Sequence, residues 1–212
     1  MGNDNSTGLG TMRANIKRDG QKRVVIVGCG LGGLKLAMSL RHAGLQVVVV
    51  DRNNYNQFPP LIYQVASAGL EPSNIAFPLR RLFQGYDNYY YRMADVKSID
   101  SGEKCIATSI GTIHYDYLVL GMGATTNFFC NKNVERNAFP MKTVEDAMAL
   151  RNHLLHNLEI AETETSAAKR QKYMNVVIVG GGPSGVEIAG ALAEMKRFVV
   201  PRDYPDLADR MH

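Results

Sequence analysis

Arg23 to Val27 is a run of β-branched residues that stops at Gly28, after which apolar residues recur at helical spacing from Leu34 to His42. Gly44 ends that helix, and Val47 to Val50 forms a second apolar run closing on Asp51. Two strands apolar on both faces, with a helix between them, predict a βαβ unit in a buried parallel sheet. The stretch from Arg52 to Ser73 carries Asn53-Asn54, Pro59-Pro60, Gly69 and Pro72, which interrupt both periodicities. It is expected to be a long loop with a short helical piece around Leu61 to Ala66, and ordered loops of that length are uncommon unless they carry function.

Helical spacing returns from Ile75 to Phe83, and Tyr89 to Ile99 reads as a strand leading into a β-meander. Cys105 to Ser109 and Thr112 to Tyr115 flank a turn at Gly111, an antiparallel excursion, and Tyr117 to Leu120 is a further buried strand ending at Gly121-Met122-Gly123. Thr143-Val144-Glu145-Asp146 predicts a helix opened by a capping box, with Ala147, Leu150, Leu154 and Leu158 on one face. The polar segment Glu162 to Lys172 reads as a linker. The opening pattern then restarts, with a strand at Asn175 to Val179, a glycine turn at Gly180 to Gly185 and a helix from Val186 to Phe198.

A chain of 212 residues accommodates one large domain or about one and a half ordinary ones. With 45% hydrophobic and 21% charged residues it falls outside the disordered, collagenous and coiled-coil classes. The net charge of +4 is concentrated early, where Arg13, Lys17, Arg18, Lys22 and Arg23 lie together, so no nucleic-acid footprint is expected. Cys29, Cys105 and Cys130 show no C-x-x-C or metal-ligand spacing, which reads as a reduced, cytosol-facing protein; the five histidines have no neighbouring cysteine or acid at ligand spacing, and His153 and His156 sit at i, i+3 on a helix amid ordinary polar positions. No apolar run approaches the roughly 18 residues of a membrane span, and the first 20 residues lack the apolar core of a signal peptide. Met1 to Ser6 fits the bare N-myristoylation pattern, a short and common one, and a disordered start is the plainer reading.

The chemistry-bearing motif is Gly28-Cys29-Gly30-Leu31-Gly32-Gly33, a G-x-G-x-x-G fingerprint between strand and helix. Gly28 allows the tight turn, Gly30 lets a pyrophosphate approach the backbone, and Gly33 lets helix and strand pack closely. The helix amides offer positive dipole to phosphates, and Asp51, at the end of the second strand, is placed to hold a ribose diol. Gly180-Gly181-Gly182-Pro183-Ser184-Gly185 repeats the motif at a domain-sized separation. Two fingerprints imply two dinucleotides in one molecule, as electron transfer between a nicotinamide and a resident flavin requires.

These residues resemble the flavoproteins with two dinucleotide-binding domains, and within them the type II NADH dehydrogenases, the non-proton-pumping NADH:quinone oxidoreductases. Three further segments carry the likeness: Asn54 to Ala66 with Gly69 to Pro72, Tyr115 to Phe129, and Gly180 to Glu187 with Ala189 to Glu194. The resemblance covers about Lys22 to His212. Relatives of the glutathione-reductase type keep a redox cysteine pair after the first βαβ unit, whereas Arg52 to Ser73 contains no cysteine.

The resemblance implies an α/β fold: a Rossmann-like FAD-binding domain with an antiparallel β-meander, followed by the start of a second Rossmann-like NAD-binding domain. It divides the chain into a disordered leader (1–22), the N-terminal part of the FAD-binding domain (23–145), and a linker helix with the truncated start of the NADH-binding domain (146–212). FAD is assigned to Gly28, Gly30, Leu31, Gly32, Gly33, Asp51 and Arg52, with Leu61 beside the flavin, Val96 near the adenine through its backbone, and Gly123, Ala124 and Thr125 against the cofactor. NADH is assigned to Gly180, Gly182, Pro183, Ser184 and Gly185. Glu187, read as lying in the first turn of the following helix, is the candidate catalytic residue near the nicotinamide and the electron acceptor. Plainer readings stand beside these: Val96 as strand core, the Leu61 loop as packing, and Glu187 as a surface acid favoured by the helix dipole.

The expected activity is hydride transfer from NADH to FAD, followed by electron transfer to a membrane quinone. The alternatives are a soluble NAD(P)H-dependent ferredoxin- or disulfide-type reductase and a non-catalytic flavin-binding fragment. In the resembled family the FAD domain resumes downstream, and C-terminal amphipathic helices bind the membrane, so the chain looks like the N-terminal half of an enzyme. The complete protein is expected to lie peripherally on the cytoplasmic face of the cell membrane, with a homodimer possible. The 212 residues alone are expected to be poorly soluble, to hold FAD weakly and not to turn over NADH.

Overall fold

The computed structural model describes residues 13–208 and residue 211, so the Met1 to Ser6 acylation pattern lies outside the described residues. Along the chain β1 (Arg23–Val27), α1 (Leu31–Ser39) and β2 (Gln46–Asp51) come first, then β3 (Tyr55–Gln57), α2 (Ile62–Ala66), β4 (Ala76–Pro78) and α3 (Leu79–Leu82). β5 (Tyr89–Met93), β6 (Val96–Asp100), β7 (Cys105–Thr108), β8 (Gly111–His114) and β9 (Tyr117–Leu120) follow. The remainder is helical: α4 (Lys132–Asn137), α5 (Val144–Thr163), α6 (Ala167–Met174), α7 (Pro183–Glu194) and α8 (Val200–Asp203). The described residues form two compact units, 13–56 with 78–123 and 57–77 with 124–208 and 211. β3 pairs with β4 in a two-stranded ribbon.

The first unit is built on a sheet of order β5-β2-β1-β9, and every pairing in it is parallel. Alternation along the strands explains its layers. Val24 and Ile26 of β1 with Val47 and Val49 of β2 face one side, packing with Ala37, Leu79, Phe83 and Tyr91. Val25, Val27, Val48 and Val50 face the other, against Ile106, Ile113 and Tyr115, so β6, β7 and β8 cover the second face as an antiparallel meander. The α/β fold with a buried parallel sheet and a meander is therefore as expected.

Part of the expected leader behaves otherwise. Residues 13–22 lie against the first unit, where Ala14 is buried and the main chain from Ala14 to Lys17 accepts hydrogen bonds from three side chains. The buried Gln46 donates to the Lys17 carbonyl at 2.8 Å and accepts from the buried Arg23 at 2.5 Å. Arg92 donates to the Asn15 carbonyl at 2.8 Å and also to that of Ala14. Burial pulls the Arg23 and Arg92 guanidinium groups below their ordinary values.

The second unit is helical. Val144, Ala147, Leu154, Leu158 and Ala161 of α5 pack with Ile62 and Val65 of α2, Met174 of α6 and Ile188 and Leu192 of α7 in one apolar cluster. The predicted capping box opens α5: Asp146 N–H donates to the Thr143 hydroxyl at 3.1 Å, and the Thr143 N–H donates to the Asp146 carboxylate at 2.9 Å. Gln57 adds a further acceptor for the Val144 N–H at 2.9 Å.

Six elements differ from the sequence reading. The expected strand Tyr89 to Ile99 is two, β5 in the parallel sheet and β6 in the meander, and α7 starts at Pro183 rather than Val186. Helix α1 starts at Leu31 rather than Leu34, because the helix opens inside the glycine turn, where no apolar spacing announces it. The expected helix from Ile75 to Phe83 is a strand followed by a four-residue helix, since Pro78 disfavours helical geometry at the residue before it. Glu162 to Lys172 is not a linker throughout: α6 begins at Ala167 and is anchored by the buried Met174. The expected strand Asn175 to Val179 is not formed; Val177 is 85% and Val179 69% exposed, and no strand among the described residues pairs with them. A strand's main-chain groups are satisfied only by a neighbour, whatever its β-propensity.

Candidate functional site

The first glycine turn connects the central strand of the sheet to α1. Gly28 takes φ +92°, and its N–H donates to the Val50 carbonyl at 2.8 Å. A β-carbon at Gly28 would run into the Gly121 carbonyl and come within 2.8 Å of the Met122 Cα, while one at Gly33 would collide with the Gly28 carbonyl oxygen. Those two glycines are required by the fold. A β-carbon on Gly30 or Gly32 would meet nothing within 4 Å. Glycine at these two positions leaves open space beside the start of α1, whose first turn is capped by no side chain. Open space and uncapped amides at a helix N-terminus are what a diphosphate needs, so the turn fits a dinucleotide.

The other residues that the sequence assigned to FAD within the first unit are Asp51, Arg52, Val96 and Gly123, of which Asp51 bonds directly to the turn. The Asp51 carboxylate, at the end of β2, accepts from the Cys29 N–H at 2.6 Å and the Asn53 N–H at 2.8 Å. It organises the loop directly, and any ribose hydroxyl would share oxygens already engaged. Arg52 and Leu31 are exposed, and Gly123 closes the stretch after β9 with φ +71°. Val96 opens β6, half-buried against the cluster beneath the sheet, next to a register shift between Val96 and Ser98. The Cys29 thiol is buried and pushed up to about 12, by desolvation first and the Asp51 charge second, so it is a protonated packing group. Tyr91, likewise pushed up to about 12 by burial and then by Asp51, donates its hydroxyl to the Asn53 carbonyl at 2.6 Å.

The remaining candidates belong to the second unit. Leu61 ends a single 3₁₀ turn, Pro59–Leu61, and packs against the helical cluster, while Ala124 and Thr125 are exposed in irregular chain. The second glycine turn repeats the first. Gly180 takes φ +111°, and a β-carbon at Gly185 would collide with the Gly180 carbonyl oxygen, as Gly33 does with Gly28. Gly182 is the N-cap of α7 with φ −73° and ψ 177°, against −70° and −161° at Gly30, and again no side chain caps the helix. Gly182 likewise opens onto free space. Pro183 and Ser184 are the first two residues of α7, both exposed. Glu187 is exposed and lies in the second turn of α7, not the first: the helix starts at Pro183, and its first turn holds no acid. Helix-dipole stabilisation falls off within one turn, so that argument for Glu187 weakens.

The sequence reading missed Asn56. It is 7% exposed and donates from Nδ2 to the Cys29 carbonyl at 2.6 Å, a second side-chain hydrogen bond on the residue whose N–H Asp51 accepts. In sequence it is one asparagine among three in a polar loop, and only the fold shows that it is buried.

Residues 22–203 match the family model described as pyridine nucleotide-disulphide oxidoreductase. The chain belongs to that family. Among relatives, it is 34% identical over 180 residues to the type II NADH:quinone oxidoreductase NdhA of Mycobacterium tuberculosis, covering 83% of this chain and 38% of the relative. It is 32% identical to the external alternative NAD(P)H-ubiquinone oxidoreductase B2, mitochondrial, of Arabidopsis thaliana, covering 84% of this chain and 32% of that one. A solved structure of NDH2 from Plasmodium falciparum in complex with NADH superimposes with a TM-score of 0.83 at 25% identity, covering 90% of this chain and 40% of that one. The chain thus spans less than two fifths of the length of these two curated relatives. The family name includes disulphide chemistry, but the three cysteines here are all free and Arg52 to Ser73 contains none. No helix among the described residues is long and apolar enough to cross a membrane.

Proposed function

We propose that the chain is part of a flavoprotein oxidoreductase of the type II NADH dehydrogenase kind, with FAD on the first glycine turn and NADH on the second. The observation that carries this reading is the repeated turn: two uncapped helix N-termini, each preceded by a glycine at positive φ and each opening at Gly30 or Gly182 onto space free of side chains. When bound, the flavin supplies two-electron chemistry linking NADH oxidation to quinone reduction. The chain's own residues bind and orient. Gly28, Gly30, Leu31, Gly32, Gly33, Asp51 and Arg52 would hold the diphosphate and ribose of FAD, with Val96 and Gly123 beside it, and Leu61, Ala124 and Thr125 would serve the same cofactor. Gly180, Gly182, Pro183, Ser184 and Gly185 would hold the NADH diphosphate, and Glu187 would stand near the nicotinamide and the acceptor. Domains 23–145 and 146–212, named by the dinucleotide each serves, remain part of this proposal, as do a peripheral place on the cytoplasmic membrane face, a homodimer and a membrane quinone as acceptor. The absence of a cysteine pair in the Arg52 to Ser73 loop favours a quinone over a disulfide acceptor.

The test is flavin binding by the purified chain and its Gly30→Val variant. The open space at Gly30 predicts that the variant folds with an unchanged circular dichroism spectrum and loses flavin absorbance. A folded Gly30→Val chain that retains FAD as tightly as the parent sequence would overturn the first site. Gly182→Val tests the second in the same way, read by quenching of NADH fluorescence.

A further inference from the structure

Asn56 lies in the middle of β3, a three-residue strand, yet its side chain is buried and turned towards the first glycine loop. The loop residue it reaches, Cys29, has both main-chain polar groups held by side chains. Its N–H donates to Asp51 Oδ2 at 2.6 Å and its carbonyl accepts from Asn56 Nδ2 at 2.6 Å. The Asp51 clasp is itself tied down: its Oδ1 accepts from the Asn53 N–H at 2.8 Å, its carbonyl accepts from the Ala94 N–H at 2.9 Å, and Tyr91 donates to the Asn53 carbonyl. The carbonyl that Asn56 grips belongs to the peptide joining Cys29 to Gly30. In a planar trans peptide the C=O and N–H point in opposite directions, so gripping that carbonyl turns the Gly30 N–H away from Asn56.

We propose that Asn56 is a positioning residue for a dinucleotide diphosphate: by holding the Cys29 carbonyl it fixes the Cys29–Gly30 peptide plane and presents the Gly30 N–H to the anion. This rests on the reading that the first turn holds FAD. The amide suits the task because it is neutral. A donor is needed beside the Cys29 carbonyl, and a carboxylate there would repel that carbonyl and add negative charge next to both Asp51 and a diphosphate. Asp51 and Asn56 thus divide the work, one accepting from the turn and the other donating to it, so that the turn is set before the dinucleotide arrives.

The experiment measures FAD dissociation constants, flavin-free melting temperatures and the ³¹P resonances of bound FAD for the full chain and for Asn56→Ala and Asn56→Asp. Loss of one buried, oriented hydrogen bond predicts FAD binding weakened about tenfold in Asn56→Ala and further in Asn56→Asp. The ³¹P resonances of what remains bound should be shifted, and the flavin-free melting temperature lowered by less than the affinity loss requires. Asn56→Asp keeps the side-chain shape and decides the matter should Asn56→Ala fail to fold. Unchanged affinity and ³¹P resonances in the variants, with the parent sequence binding FAD, would overturn the role of Asn56 and leave the FAD site standing. Affinity lost in step with flavin-free stability, with unshifted ³¹P resonances, would equally overturn it by making Asn56 a fold residue only. A parent chain that binds no FAD would sink both readings at once.

Discussion

At the first glycine turn a β-carbon on Gly28 would strike the Gly121 carbonyl; at the second, one on Gly180 would meet nothing within 4 Å. Both turns nevertheless share positive φ, an extended glycine N-cap and the close contact between the first and last fingerprint glycines. The turn before a helix is therefore specified locally, by four glycines and the helix that follows. The strand before it is not. β1 lies between two parallel neighbours, whereas 175–179, with the same apolar β-branched character, has no partner among the described residues and is not a strand. Asp51 and Asn56 hold Cys29 at the first turn, and no side chain among the described residues holds the equivalent Gly181.

This contrast gives predictions of decreasing size. Amide hydrogen exchange should differ most: the amides of β1 should exchange only with global opening of the first unit, and those of Val177 to Val179 at nearly unprotected rates, orders of magnitude faster. Comparable protection of the two segments would show that the second strand is paired after all. Gly33→Val should cost the first unit about 3 kcal/mol or more, because the collision is with main chain inside a packed layer. Gly185→Val meets the same carbonyl contact where the preceding segment is free to shift, and should cost about 1 kcal/mol by thermal denaturation. Gly28→Ala combines a positive φ with the Gly121 contact and should exceed Gly180→Ala, which carries only the left-handed penalty of about 1–2 kcal/mol. Equal losses in either pair would mean that the surroundings contribute nothing.

The smallest effect is one of pH. The Cys29 thiol titrates in the folded chain at about 12, above its ordinary value. Folding therefore favours the protonated thiol; this contribution is fully present below the ordinary thiol range near pH 8.5 and is lost as pH rises from there towards 12. A Cys29→Ala chain should show a shallower fall of melting temperature above pH 9, and the exposed Cys130 should react with a thiol reagent at neutral pH while Cys29 does not.

Much of the first unit was legible because its signals are local or periodic. The apolar runs of β1 and β2 announced a parallel sheet, Gly111 the meander turn, and Thr143 with Asp146 the start of α5. The tight turn at Gly28 and the close packing at Gly33 were read from spacing alone; Gly28 takes φ +92°, and a β-carbon at Gly33 would collide with the Gly28 carbonyl oxygen. What was not legible depends on tertiary neighbours. Asn56 looks like loop polarity until β3 buries it, Met174 becomes an anchor only when α5 lies beside it, and Val177 reads as strand although pairing decides the matter. Helix starts within glycine runs were misplaced because glycine carries no amphipathic signal, which put α1 three residues late and Glu187 one turn too early.

The clasp on residues 14–17 bears on how this protein should be cut. Similarity to the family begins at residue 22, which invites a start just ahead of β1. Such a truncation would remove carbonyl acceptors of the buried Arg23 and Gln46 and of the half-buried Arg92, leaving N–H donors of each without the partners they have here. Each stranded donor costs about 1–3 kcal/mol, so a chain begun at Lys22 should melt well below one begun at Arg13. Where homology ends and where solvation ends are different boundaries, and for expression it is the second that matters.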